Sequence, residues 1–227
     1  FETHDTDAMN RYLDAALEYN GNSLSDLTSL LFNVKQNLSA EIAYNLLQKI
    51  PQSQRTSGSI SYAEASILLD LNRHPEVFSV LQRIWKADGM TPEFSQEALH
   101  AFLSEFVSKG LDLAPFFPIY KEFLAAYPTN FDAHLDLQSL LYMLDKPSER
   151  QAQLVRMTEL FPTGHPELWN GLFQDLLSRG AYDELYKYFP QALKQYPHEG
   201  SLFLFKSLAE ETSGDLELAK RTALQGI

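Results

Sequence analysis

The chain has 227 residues, 44% apolar and 21% charged, and its 30 acidic against 18 basic side chains give a formal net charge of −12. That composition belongs to a folded protein rather than a low-complexity chain, and its charge repels a phosphate backbone and an anionic leaflet alike, which makes nucleic acid and membrane surfaces poor partners. With no cysteine, disulfides, thiolate zinc sites and cysteine nucleophiles are ruled out by inventory, and the longest apolar runs, such as SLFLF at 201–205, are too short for membrane insertion.

In chain order, the first apolar period predicts a helix over 5–20 with Met9, Leu13 and Ala16 on one side and Asn20-Gly21 as its C-cap. The segment 1–21 reads as a half repeat or a capping helix, and its unpaired apolar face predicts self-association. Two helices follow over 24–51, with Asn37 at the turn, Ser39 as N-cap and Pro51 as terminator. A further pair over 59–89 carries Tyr62, Ala65, Ser66 and Leu69, then Phe78 and Trp85, across the break Arg73-His74-Pro75.

From 93 onward the units come into step. Pro128, Pro162 and Pro197 each follow an aromatic residue and lie 34 and then 35 residues apart. In the unit 166–197, Trp169, Leu172 and Leu176 fall on one helix face, Leu185, Phe189 and Ala192 on a second, and Gly180 breaks the two. One period earlier, in 131–162, the equivalents are His134, Leu137 and Leu141, then Leu154 and Met157; in 93–128 they are His100, Leu103 and Val107, then Phe116, Tyr120 and Phe123. The prolines in LAPFFPIY predict a delayed start for that second helix. In the last unit, 200–227, Gly214-Asp215 supplies the turn and Ala219 a small buried position.

This pattern resembles the tetratricopeptide repeat, a helix-turn-helix of about 34 residues with a W-x2-L-G-x2-Y, A-x3-F and terminal P signature. Phe173 stands where the family prefers glycine, Arg150 where it prefers a small residue, and Lys206 where it prefers leucine. The resemblance implies an all-α, right-handed α-solenoid of stacked antiparallel helix pairs, about thirteen helices in one array over 1–227. Both ends fit a segment cut from a longer array.

No catalytic or metal constellation competes with this reading. His134 lies between Asp132 and Asp136, but residues two apart on a helix point in nearly opposite directions, so the histidine packs in the tryptophan position and the carboxylates pair with each other. His100 takes the same role, and Trp85 and Trp169 fill core positions. His198-Glu199 reads as a solvated turn and Glu210-Glu211 as solvated helix surface. Nucleotide-binding glycine loops and the nucleophile-elbow motif are both missing. No enzymatic activity and no cofactor are expected.

The resemblance further implies a concave groove lined by the first helix of each pair. Its inward positions carry over to Ile60, Ala63, Ile67 and Asp70; to Ala98, Ala101, Glu105 and Ser108; to Asp132, Leu135, Ser139 and Tyr142; and to Glu167, Asn170, Gln174 and Leu177. None is basic. The expected function is a protein-interaction scaffold or assembly module that binds a neutral or basic peptide, or a partner helix, in this groove. The alternative is a regulatory or docking region of a larger enzyme or outer-membrane secretion protein, and the acidic, cysteine-free chain leans towards the bacterial cell envelope. RNA binding of the pentatricopeptide kind would need basic groove residues that the chain lacks.

Overall fold

The computed structural model describes residues 4–20 and 23–227, with side chains from residue 11 onward; Met9 and Gly21 therefore lie outside the described side chains. The described residues form fourteen helices and no strand. They are α1 (His4–Asn20), α2 (Leu24–Asn37), α3 (Ala40–Lys49), α4 (Gln52–Arg55), α5 (Gly58–Asp70), α6 (His74–Ile84), α7 (Pro92–Ser108), α8 (Phe116–Ala126), α9 (Phe131–Met143), α10 (Pro147–Leu160), α11 (Glu167–Ser178), α12 (Tyr182–Gln195), α13 (Gly200–Thr212) and α14 (Leu216–Gln225). The one helix beyond the expected thirteen is the single turn α4, which Pro51 starts because its fixed φ suits the entry of a helix. The described residues are all-α, with helices paired through short turns.

Local chemistry sets the helix ends. Ser23, Ser39 and Thr91 each accept a bond at 3.2 Å from the backbone N–H three residues on, and Asn130 does the same for Ala133 at 2.9 Å. Tyr127, Phe161 and Tyr196 close α8, α10 and α12 with nearly one geometry, φ between −132° and −122° and ψ between 68° and 71°. Each precedes a proline, whose ring excludes the helical region for the residue before it.

Within the pairs, one turn recurs five times. Asn72, Gly110, Asp145, Gly180 and Gly214 all have positive φ, between 52° and 90°. In each case the next residue's N–H donates to a carbonyl five back, those of Leu68, Phe106, Leu141, Leu176 and Glu210, at 2.9–3.0 Å. This is the Schellman closure, with the left-handed residue reversing the chain. Glycine announces three of these turns in the sequence; at the other two, asparagine and aspartate take the left-handed conformation that their short polar side chains tolerate.

The contacts divide the chain into two compact units, residues 1–133 and 134–227. In the first unit, Leu27, Leu31 and Val34 of α2 meet Ala43, Leu46 and Leu47 of α3 and Ile60, Ala63 and Ile67 of α5. Leu13 joins this cluster at 8% exposure and Leu17 packs against it. Of the α1 face expected to be unpaired, Leu13 is therefore covered by its own unit, because α2 and α3 need a third apolar surface to close their core. Among the described side chains, the large apolar ones that α1 exposes are Tyr12 and Tyr19. Further along, Phe78, Phe106 and Phe116 form a triangle of rings 5.0–5.2 Å apart, and Trp85 stands edge-on to Phe123 and Tyr127.

In the second unit the core runs through Trp169, Leu172, Phe173 and Leu176 of α11, Leu185, Phe189 and Ala192 of α12, and Leu202 and Ala209 of α13. Trp169 is 1% exposed, and its Nε1 donates to Gln195 Oε1 at 2.7 Å, tying α11 to the end of α12. Phe173, in the family's glycine position, is fully buried and packs against Trp169 and Phe205.

Candidate functional face

The five shared turns supply a ruler that residue spacing alone lacks. Counted back from the carbonyls of Leu141 and Leu176, the positions expected on α9 and α11 share one register: Asp132, Leu135, Ser139 and Tyr142, then Glu167, Asn170, Gln174 and Leu177. Asp132, Leu135, Ser139, Tyr142, Glu167 and Gln174 are exposed, and Asn170 and Leu177 are half-buried.

On α5 and α7 the expected positions are displaced by one residue. The turn carbonyls there belong to Leu68 and Phe106, so the equivalent positions are Ser59, Tyr62, Ser66 and Leu69, then Glu97, His100, Ser104 and Val107. One residue rotates a helical position by about 100°, which accounts for the burial of Ile60, Ala63, Ile67 and Ala98 in the core. His100 and Val107, expected inside, are exposed, and Leu99, Phe102 and Phe106 take the core in their place. The cause is a single slip: the turns at Gly110 and Asp145 lie 35 residues apart, whereas the expected positions on α7 and α9 lie 34 apart, and the difference carries over to α5. Ala101 and Asp70 remain exposed and Glu105 half-buried, on the adjoining stripe.

Those carboxylates do not stand alone. Asp70 is paired with Lys35 Nζ at 2.8 Å and lies 3.9 Å from Lys109 Nζ, while Glu105 binds Lys109 at 3.0 Å. Lys35 also donates to Ser66 Oγ at 2.7 Å, so α2, α5 and α7 share one chain of alternating charges. Beside it, Tyr62 contacts Phe32, Phe94 and Phe102 with ring centroids 5.3–6.4 Å apart. Burial, with the Glu105 charge second, pushes the Tyr62 hydroxyl pKa up.

In the second unit the same count adds a row that sequence reasoning missed: Ser201, Leu204, Leu208 and Glu211 on α13. Leu204 is 54% exposed and Leu208 39%; on α9, Leu135 is 39% and Tyr142 69% exposed. Ser201 Oγ donates to Asn170 Oδ1 at 2.7 Å, joining the α11 and α13 rows. Partial burial works to raise the Glu167 pKa, but the hydrogen bonds from His165 and its own backbone outweigh this and leave it lowered. The signal that could have located the α13 row was Gly214, whose turn fixes the count.

Arg150 has its explanation in this unit. Its guanidinium binds Asp175 Oδ1 at 3.0 Å and lies 5.0 Å from the centre of the Tyr142 ring, while Arg179 takes Asp175 Oδ2 at 2.7 Å. Asp175 is 7% exposed, and two arginines from different helices compensate its burial. His134 is fully buried, edge-on to Phe161, with the Gln153 side-chain amide 2.6 Å from its Nδ1. Asp136 is 7% exposed while Asp132 is in solvent. Glu210 is likewise no surface residue; it is 2% exposed. Among the described residues no three His, Asp or Glu side chains converge as metal ligands, and no helix is long and apolar enough to cross a membrane.

Solved structures with a similar course include MamA of strain MSR-1, 20% identical over 74% of this chain and 94% of that one, at a TM-score of 0.45. A second MamA crystal structure is 18% identical over 76% and 90%, at 0.48, and PilF of Pseudomonas aeruginosa is 13% identical over 90% of both chains, at 0.41. Both are tetratricopeptide-repeat proteins. No protein-family model matches the chain, and no curated protein matches it in sequence.

Proposed function

We propose that the chain is a non-catalytic protein-interaction scaffold, and that the first-helix face of its second unit receives a peptide or partner helix with apolar anchors and a neutral or basic character. The observation that carries this reading is the composition of that face. Leu135, Tyr142, Leu204 and Leu208 are exposed together with Glu167 and Glu211, and no lysine or arginine occupies any of the turn-counted positions. Exposed apolar side chains set in a polar, acidic surround favour a partner that buries apolar area and brings opposite charge. Asn170 and Gln174 add amide groups able to bond a peptide backbone.

Calorimetric titration with two designed peptides of equal length, one rich in leucine and lysine and the other in leucine and glutamate, tests this. The basic peptide is expected to bind, and the Glu167→Lys, Gln174→Lys double variant to weaken it by about tenfold or more. Tighter binding of the acidic peptide by the unaltered chain would overturn the reading.

A further inference from the structure

Arg150 and Asp175 stand in positions that other helix pairs give to core residues. Asp175 lies five residues before the left-handed turn residue of its pair, where fully buried Ile67, Leu140 and Ala209 stand in three others. Arg150 lies five residues after the turn of the preceding pair, where three others place Val77, Leu185 and Ala219, all buried. Two apolar core positions have thus become an ion pair. Such a pair contributes little net stability, because stripping water from both charges offsets their attraction, and apolar residues of similar size pack as well or better. What an ion pair adds is direction.

Three helices meet at the Arg150 guanidinium. From α11, Asp175 Oδ1 accepts from Nη1 at 3.0 Å, and Asp175 is itself held by Arg179 at 2.7 Å. From α9, with the Gln138 amide turned so that both its groups are bonded, Gln138 Oε1 accepts from Nε at 2.9 Å and its nitrogen donates to the Arg150 carbonyl at 3.2 Å. One turn further along α9, the Tyr142 ring lies against the guanidinium, 5.0 Å from centre to centre. The tyrosine thus packs on a planar cation held from two sides. Tyr142 is 69% exposed, and a side chain that open samples several rotamers unless a neighbour holds it.

We propose that Arg150 is a positioning residue for the first-helix face of the second unit: locked by Asp175 and Gln138, it holds Tyr142 in one rotamer as a pre-set aromatic anchor for the partner. The inference rests on that face being the binding surface. A ring already in place spares the entropy of immobilising it on binding.

The Arg150→Leu, Asp175→Leu double variant puts apolar residues at both positions and separates positioning from packing. With the tyrosines isotopically labelled, NMR scalar couplings read χ1 of Tyr142 in the free chain. Tyr142 is expected to keep one χ1 rotamer in the unaltered chain and to average over several in the double variant, which melts no lower than the unaltered chain. Calorimetric titration with the leucine- and lysine-rich peptide is expected to show affinity about three- to tenfold weaker in the double variant. The same substitutions in a Tyr142→Ala background are expected to cost nothing further. An averaged Tyr142 in the unaltered chain, an unchanged rotamer in the double variant, or the same fold loss with and without the Tyr142 ring overturns the proposal. A double variant that melts well below the unaltered chain marks the pair as packing and overturns it too. If the unaltered chain binds no peptide, the binding face fails by itself, and the couplings still decide whether Arg150 orders Tyr142.

Discussion

Single residues in this chain fall into those that fill space and those that settle charge. Trp169 does both, being buried in the second-unit core with its ring nitrogen bonded to Gln195. Trp169→Ala is expected to destabilise the chain by about 3–5 kcal/mol in chemical denaturation, because the helices around it cannot collapse into a tryptophan-sized void. Glu64 settles charge less comfortably. Burial raises its pKa above the usual 4.5, and Arg83 and Arg55 only partly offset this. A raised folded-state pKa means that the group's stabilising share is complete below its unfolded value and is lost as pH rises through the folded one. Glu64→Gln should therefore remove part of the fall in stability on going from about pH 4 to neutrality, as followed by thermal melting across that range.

The informative feature of the helix pairs is their turn. Gly180 has φ of 68° and open space where a Cβ would stand, so Gly180→Ala meets no clash and costs conformational energy alone, about 1 kcal/mol by urea denaturation. Asp145 occupies the same turn at φ 52°. Asp145→Gly is expected to be nearly neutral in the same assay, because relief of the left-handed strain is offset by the greater freedom of glycine in the unfolded chain. Between pairs, the aromatic residue before each closing proline can leave the helix only one way, which explains why three different pairs end with dihedrals within about 10° of each other.

Across the whole molecule, the net charge of −12 spreads over a surface on which many acids are already paired, as Asp70 with Lys35 and Asp175 with Arg150 and Arg179. What stays available to a partner among the turn-counted positions is Glu97, Asp132 and Glu211, with Glu167 shared with His165, together with exposed leucines and Tyr142. Binding of a basic amphipathic peptide should then weaken only modestly with salt, about tenfold or less between 50 and 500 mM sodium chloride, because apolar burial carries most of the affinity. Titration at both concentrations checks this. A loss of a thousandfold would show that charge dominates.

The helices, their order and the closing prolines were legible in the sequence because each depends on neighbours a few residues away: apolar spacing at 3.6, a capping serine, a proline after an aromatic ring. The repeat in 131–197 was legible for the same reason, since its steps are nearly constant. The positions on α5 and α7 were not, because the closing prolines Pro128 and Pro162 lie 34 residues apart while the turns at Gly110 and Asp145 lie 35 apart, and one residue turns Ile60, Ala63 and Ile67 from the expected face to the core. Tertiary packing alone decided that Leu13 is covered, that Arg150 sits in a small-residue position because Asp175 waits on the next helix, and that Glu210 lies inside. Local periodicity records how often an apolar residue recurs; which face meets a neighbour, and which charge finds a partner 25 residues away, is fixed only when the helices pack.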